Sequence, residues 1–279
     1  MTIVKPSPAN LAPVTAGQRR QPDQVLRYLD SVTDCSRHLL SRAVKKFESG
    51  GEEYGIPRFL WSGPAGGGDT FRLGLFATLN GDEPEGAIAL NRFISALEQA
   101  PELARGYSLF IYPLCNPTGF EDNTRLSRTG HALNRLFWTE SEALEVRFLE
   151  SEIWMQAFHG IINLRSDAES AGVYGFASGA VISHALLNPA LQAAEKYLPR
   201  NYQREIEGIP ARRGMVYADI YNAARGALRA VPGLENPPFE ITLATPRSAV
   251  VPLQVEALNA ALLAILDEFR ALQAYAQSI

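Results

Sequence analysis

Two cysteines, Cys35 and Cys115, stand far apart in 279 residues. They are too few for a disulfide framework, and a cytoplasmic home follows as the expectation. Histidine is also scarce: His38, His131, His159 and His184 are the only four. No run of Lys or Arg exceeds two, and the net charge is -4 with a pI near 5.7. The concentrated basic face that a nucleic-acid binder needs is therefore missing. No apolar segment approaches the roughly 20 residues of a membrane-spanning helix. Residues 1–18 hold one Lys, three Pro and no continuous apolar stretch, which fits neither a signal peptide nor a membrane anchor. A soluble protein is expected.

What is present is ordinary globular material, 46% hydrophobic and 20% charged, enough for a sizeable core. Residues 1–20 read as an arm and 21–279 as one α/β domain, with no linker or internal repeat dividing it. Helical periodicity is expected over 22–47, ended by Gly50-Gly51, and over 84–99, 142–157, 181–196 and 218–230. Pro84 suits the first turn of its helix. Strands are expected at 59–61, 73–77, 107–112, 161–164 and 239–243. The clearest element is the last: Leu258, Leu262, Ile265, Phe269 and Leu272 trace one face of a long helix. Strands alternating with helices imply a twisted mixed, largely parallel sheet with helices on both faces.

Ligands in such sheets sit beyond the carboxyl ends of the strands. The loops at 78–86, 115–136, 165–176 and 244–248 occupy that position, and each carries a polar motif. The run Leu79-Asn80-Gly81-Asp82-Glu83-Pro84-Glu85-Gly86 resembles the first metal motif of the zinc carboxypeptidases, His-Gly-Asp/Asn-Glu-Pro-x-Gly. Asn116-Pro117-Thr118-Gly119, then Thr124-Arg125, then Leu133-Asn134-Arg135, is similar to that family's Asn-Pro-Asp-Gly, Thr-Arg and Leu-Asn-Arg series. Asn163-Leu164-Arg165-Ser166, followed by Tyr174-Gly175-Phe176, resembles the segment giving the third ligand. Ile241-Thr242-Leu243-Ala244 resembles the segment bearing the catalytic Glu. The chain is most similar to the compact branch near the succinylglutamate desuccinylases and aspartoacylases, from about Phe59 to the last helix. Residues 197–238 contribute little.

The resemblance implies functional positions, and this chain departs from most of them. Asn80 and Arg165 stand where the two histidine ligands belong, and Ala244 where the catalytic Glu belongs; Glu83 alone matches. Catalytic zinc takes three protein ligands and a water. Arg is always protonated and has no lone pair to give. The expectation is a fold without its metal, without an intact catalytic residue and without a cofactor. The family pattern also implies that Arg125, Asn134 and Arg135 hold a ligand's carboxylate, such as a peptide C-terminus or an acyl amino acid. Their alternative role is as salt-bridged loop staples. Arg165 is expected to pair with Glu83, in place of the metal's charge, or else to swing out to solvent.

Two further functions stay open. One is an active metallohydrolase with a rearranged zinc site, using Glu83 and His131. The other is a non-catalytic partner subunit. Other features read as structural: Gly66-Gly67-Gly68 as a turn, Cys115 as a buried thiol, Trp61, Trp138 and Trp154 as packing residues, and Asp167 and Glu169 as a solvated loop.

Overall fold

In the computed structural model, which describes residues 19–179, 181–217 and 227–277, the apolar alternation of the strands sets the architecture. Leu73, Leu75 and Ala77 of β3 (Phe71–Ala77) enter one core, and Phe76 enters the other. The same division recurs along β4 (Tyr107–Tyr112) and β5 (Gly160–Asp167), while β10 (Phe239–Pro246) sends Phe239, Ile241 and Leu243 into the first core and Ala244 into a smaller third cluster. Helices α1 (Asp23–Thr33), α2 (Glu85–Gln99), α5 (Ile182–Ala194) and α6 (Val251–Gln277) cover one face. Helix α4 (Leu144–Gln156) covers the other. Leu258, Leu262, Ile265 and Phe269 of α6 are buried in the first of these cores, with Leu272 packed against it, as the periodicity demands.

The sheet runs β1-β2-β4-β3-β5-β10-β6-β9-β8-β7. Its centre, β4-β3-β5-β10, is parallel. The flanks are largely antiparallel: β1 (Leu39–Ser49) with β2 (Glu52–Ser62) on one side, and β6 (Tyr174–Gly179) with β9 (Met215–Tyr217), β8 (Ile209–Arg212) and β7 (Glu205–Ile206) on the other. The exception is β6 with β9, which is parallel.

The helix expected over 22–47 stops at Thr33, and residues from Leu39 form the first strand of a hairpin. Gly50 (φ 62) and Gly51 (φ 81) are the hairpin turn rather than a helix cap. Two consecutive residues with positive φ give a turn whose twist matches paired strands. His38 accordingly precedes a strand, stacked on the buried Trp61, instead of lying on a helix. Of the helix expected over 218–230, residues 218–226 lie outside the described residues, and 227–230 are bends and coil. The arm at 1–18 also lies outside them; Arg20 is docked through its amide on Glu121 O at 2.8 Å. Among the described residues no helix is long and apolar enough to cross a membrane.

Candidate ligand cavity

The registers of β5, β10 and β6 place side chains three abreast: Ile161, Glu240 and Ser178; Asn163, Thr242 and Phe176; Arg165, Ala244 and Tyr174. Because side chains alternate between faces, these rows share the α4 side of the sheet. The first two rows and Arg165 floor a cavity of about 420 Å³. Its walls come from the loop after β3 (Asn80, Glu83), the loop after β4 (Arg125, Asn134, Arg135), the β7–β8 turn (Glu207) and the segment before β10 (Leu228, Arg229).

The loop after β4 is organised by Asn116, which caps the short helix α3 (Pro117–Glu121). Its Oδ1 accepts the Gly119 amide at 2.9 Å, and its Nδ2 donates to Leu79 O at 3.2 Å. One side chain thus starts a helix and ties two motif loops together. Beyond α3, Arg125, Asn134 and Arg135 line the cavity. Neither Arg125 nor Arg135 makes a side-chain hydrogen bond or ion pair among the described residues, so no salt-bridged staple forms between either of them and those residues. That structural role falls instead to Arg128, which bonds Asp122 at 2.8 Å and Glu121 at 2.9 Å. His131 turns to Thr129 Oγ1 at 3.0 Å and is exposed, away from the cavity lining.

The pair expected between Glu83 and Arg165 is replaced by two other pairs. Arg165 Nη1 meets Glu207 Oε1 at 2.8 Å. Glu83 Oε1 accepts Asn80 Nδ2 at 2.6 Å and lies 3.5 Å from Arg247 Nη2, while its Oε2 accepts the Ser166 amide at 3.1 Å. The cause is chain beyond the motifs: a hairpin tip brings a nearer carboxylate to Arg165, and the loop after β10 brings a cation to Glu83. Arg165 does not swing out either, its side chain being 16% exposed. Burial pushes the Glu83 carboxyl up to about 7, against the opposing pull of Arg165, Asn80, the Ser166 amide and Arg247. Burial also opposes the charge on Arg165, but nearby groups, Glu207, Glu83 and Asp167 among them, more than offset it.

Ala244 is buried among Tyr174, Ile206, Ile209 and Val216, so the hairpin occupies the space beside it. Cys115 is fully buried, and its thiol is pushed up to about 12 by that burial. Two structural expectations change. Trp154 is 67% exposed rather than packed. Asp167 is not simply solvated, because Tyr174 Oη lies 2.8 Å from its Oδ2. The residues missed from sequence are Glu207, Arg229 and Arg247. Glu207-Gly208 between Ile206 and Ile209 is a turn signal that was available; Arg247 lay inside an identified loop; nothing singled out Arg229. No group of three or more His, Cys, Asp or Glu side chains disposed to hold a metal occurs among the described residues.

Residues 69–158 match the succinylglutamate desuccinylase/aspartoacylase catalytic domain. No curated protein matches the sequence. A protein from Shewanella denitrificans proposed to be a metallopeptidase superposes with a TM-score of 0.71 at 20% identity, over 88% of each chain. A metallo-carboxypeptidase from Burkholderia cenocepacia gives 0.68 at 15% identity, over 91% of this chain and 70% of its own. A succinylglutamate desuccinylase/aspartoacylase from Rhodobacter sphaeroides gives 0.51 at 19% identity, over 83% of this chain and 66% of its own. At such identities the likeness is one of fold. The chain therefore has the zinc-carboxypeptidase-like fold, with residues 69–158 matching the catalytic domain of the succinylglutamate desuccinylases and aspartoacylases.

Proposed function

We propose that this chain has given up the zinc chemistry of its fold and binds a small carboxylate-bearing ligand, a peptide C-terminus or an acyl amino acid, through Arg125, Asn134 and Arg135. One observation carries the reading: two guanidinium groups from separate turns line one cavity, and among the described residues no carboxylate pairs with either. Planar guanidinium forks match a carboxylate with paired hydrogen bonds.

The donor set at the family's metal position does not fit zinc. Asn80 gives its amide nitrogen to Glu83, so its oxygen, the one atom able to ligate, lies on the other branch of the amide, buried without a partner. Arg165 has no lone pair. Glu83 is left as a single carboxylate, and Ala244 offers no base to activate water. Loss of such a base alone costs about 10²- to 10⁴-fold in rate.

Elemental analysis and thermal melts of the purified protein test this reading. Zinc is expected well below stoichiometry, and Glu83→Ala should leave its level unchanged. N-acyl amino acids should raise the melting temperature, and Arg135→Ala should weaken their binding roughly 10- to 100-fold, the worth of a charged hydrogen-bond pair. Near-stoichiometric zinc abolished by Glu83→Ala would favour a hydrolase with a rearranged metal site. A melting curve that no small carboxylate shifts would favour a partner subunit.

A further inference from the structure

Glu207 is an unusual residue for its position. It takes φ +52 and Gly208 takes φ +75, forming the two-residue turn between Ile206 and Ile209. Turns of this hand favour Asn-Gly or Asp-Gly, because short polar side chains tolerate the left-handed region. A glutamate there is strained, and strain at one residue calls for a compensating contact. The contact is Arg165: the Glu207 carboxylate accepts from its Nη1 at 2.8 Å, and Tyr174 Oη lies 2.7 Å from the same oxygen. Guanidinium and phenol together make a seat for one carboxylate, beside the cavity that Arg125 and Arg135 also line.

The hold on Glu207 is divided. Tyr174 Oη is also 2.8 Å from Asp167 Oδ2, yet a phenol carries one proton and donates it to one acceptor at a time. When Asp167 takes the proton, Glu207 is left facing an oxygen lone pair and is held by Arg165 alone. The hairpin that carries Glu207 is lightly anchored. Of its tip, Ile206 and Ile209 are buried while Glu207 and Gly208 are exposed. Among the described residues, strand β8 pairs with β9 at Ala211 and Arg212 alone. Segments with little burial and exposed backbone open locally at low cost.

We propose that Arg165, on the cavity floor, and Tyr174 behind it form a second carboxylate seat at the cavity's edge, which the chain's own Glu207 fills and which a ligand's carboxylate enters by displacing it. No bond is made or broken. One carboxylate exchanges for another on the same guanidinium, Tyr174 keeps its O–H and turns its hydrogen bond to Asp167 while the seat empties and back to the incoming carboxylate once it is filled, and the hairpin tip swings away from the floor. The proposal deepens the carboxylate-binding reading and rests on it for the cavity, but not on Arg125 or Arg135 for the seat.

Calorimetric titration with N-acetylglycine, and with N-acetylglycinamide as the uncharged control, tests it in the full chain. Glu207→Gln keeps the side chain's size and removes the competing charge, so it should bind N-acetylglycine at least tenfold more tightly than the wild type. Adding Arg165→Gln should erase that gain. Hydrogen exchange supplies a second reading, because saturating N-acetylglycine should speed exchange of the amides at 205–212 in the wild type. Equal affinity of wild type and Glu207→Gln, or unchanged or slower exchange of the hairpin on binding, overturns the displacement. If Arg135→Ala leaves both the affinity for N-acetylglycine and the tenfold gain intact, the acid's one carboxylate sits in the second seat and the role given to Arg135 falls. If neither the wild type nor Glu207→Gln binds the acid, both readings fall.

Discussion

Gly81→Ala is expected to lower the unfolding free energy by roughly 3 kcal/mol or more and to remove ligand binding with it. A methyl group at this position would stand 2.0 Å from Gly119 C, 2.3 Å from Phe120 N and 2.5 Å from Gly119 O. All three are backbone atoms of α3, which cannot turn aside as a flexible side chain does. The loop and the helix must part instead. Asn80 and Glu83 would then leave the cavity wall, and the link from Asn116 Nδ2 to Leu79 O would stretch. Denaturant unfolding measures the first effect, and titration with N-acyl amino acids the second. A variant within about 1 kcal/mol of the wild type, a typical effect for a point substitution, would show that the two backbones are not locked together.

The second large effect depends on pH. Glu83 has its folded value raised from 4.5 to about 7, so between those limits the native state binds more protons than the unfolded chain. Stability contributed by this group is full below pH 4.5, falls as pH rises, and is lost above pH 7. The shift corresponds to about 3 kcal/mol. Glu83→Gln cannot ionise and keeps an oxygen to accept a hydrogen bond. The variant should match the wild type at the acid end of the window and exceed it by up to about 3 kcal/mol at pH 8. Urea unfolding of both proteins at several pH values gives the difference directly. A difference that does not change with pH would mean that Glu83 ionises freely in the folded protein.

The motif loops were legible in the sequence because their surviving residues hold the scaffold. Asn116 caps α3, Pro117 starts it, and Gly81 and Gly119 permit backbone contact. None of these tasks depends on which side chains stand at Asn80, Arg165 and Ala244. The central strands and α6 were equally legible, being buried on both faces or strictly periodic. The first hairpin was not. Leu39, Leu40, Val44 and Phe47 fall at spacings that suit a helix, and a glycine pair after them serves a helix end or a strand turn alike. Only pairing with β2, eleven residues long, decides between the two. The pair of Arg165 with Glu207 was illegible for another reason. It joins residues 42 apart through a short hairpin whose strands are too brief to show periodicity.

The same first hairpin leaves β1 as an outer strand of the sheet. An eleven-residue border with unpaired amides invites a second chain to add itself by hydrogen bonding. Here the register slips between Arg42 and Lys45, and Lys45 and Lys46 stand exposed just beyond the slip. An incoming strand would meet a slipped register and the exposed Lys45, with Lys46 beside it paired to Glu53 at 2.6 Å, so pairing through this border is opposed along its middle.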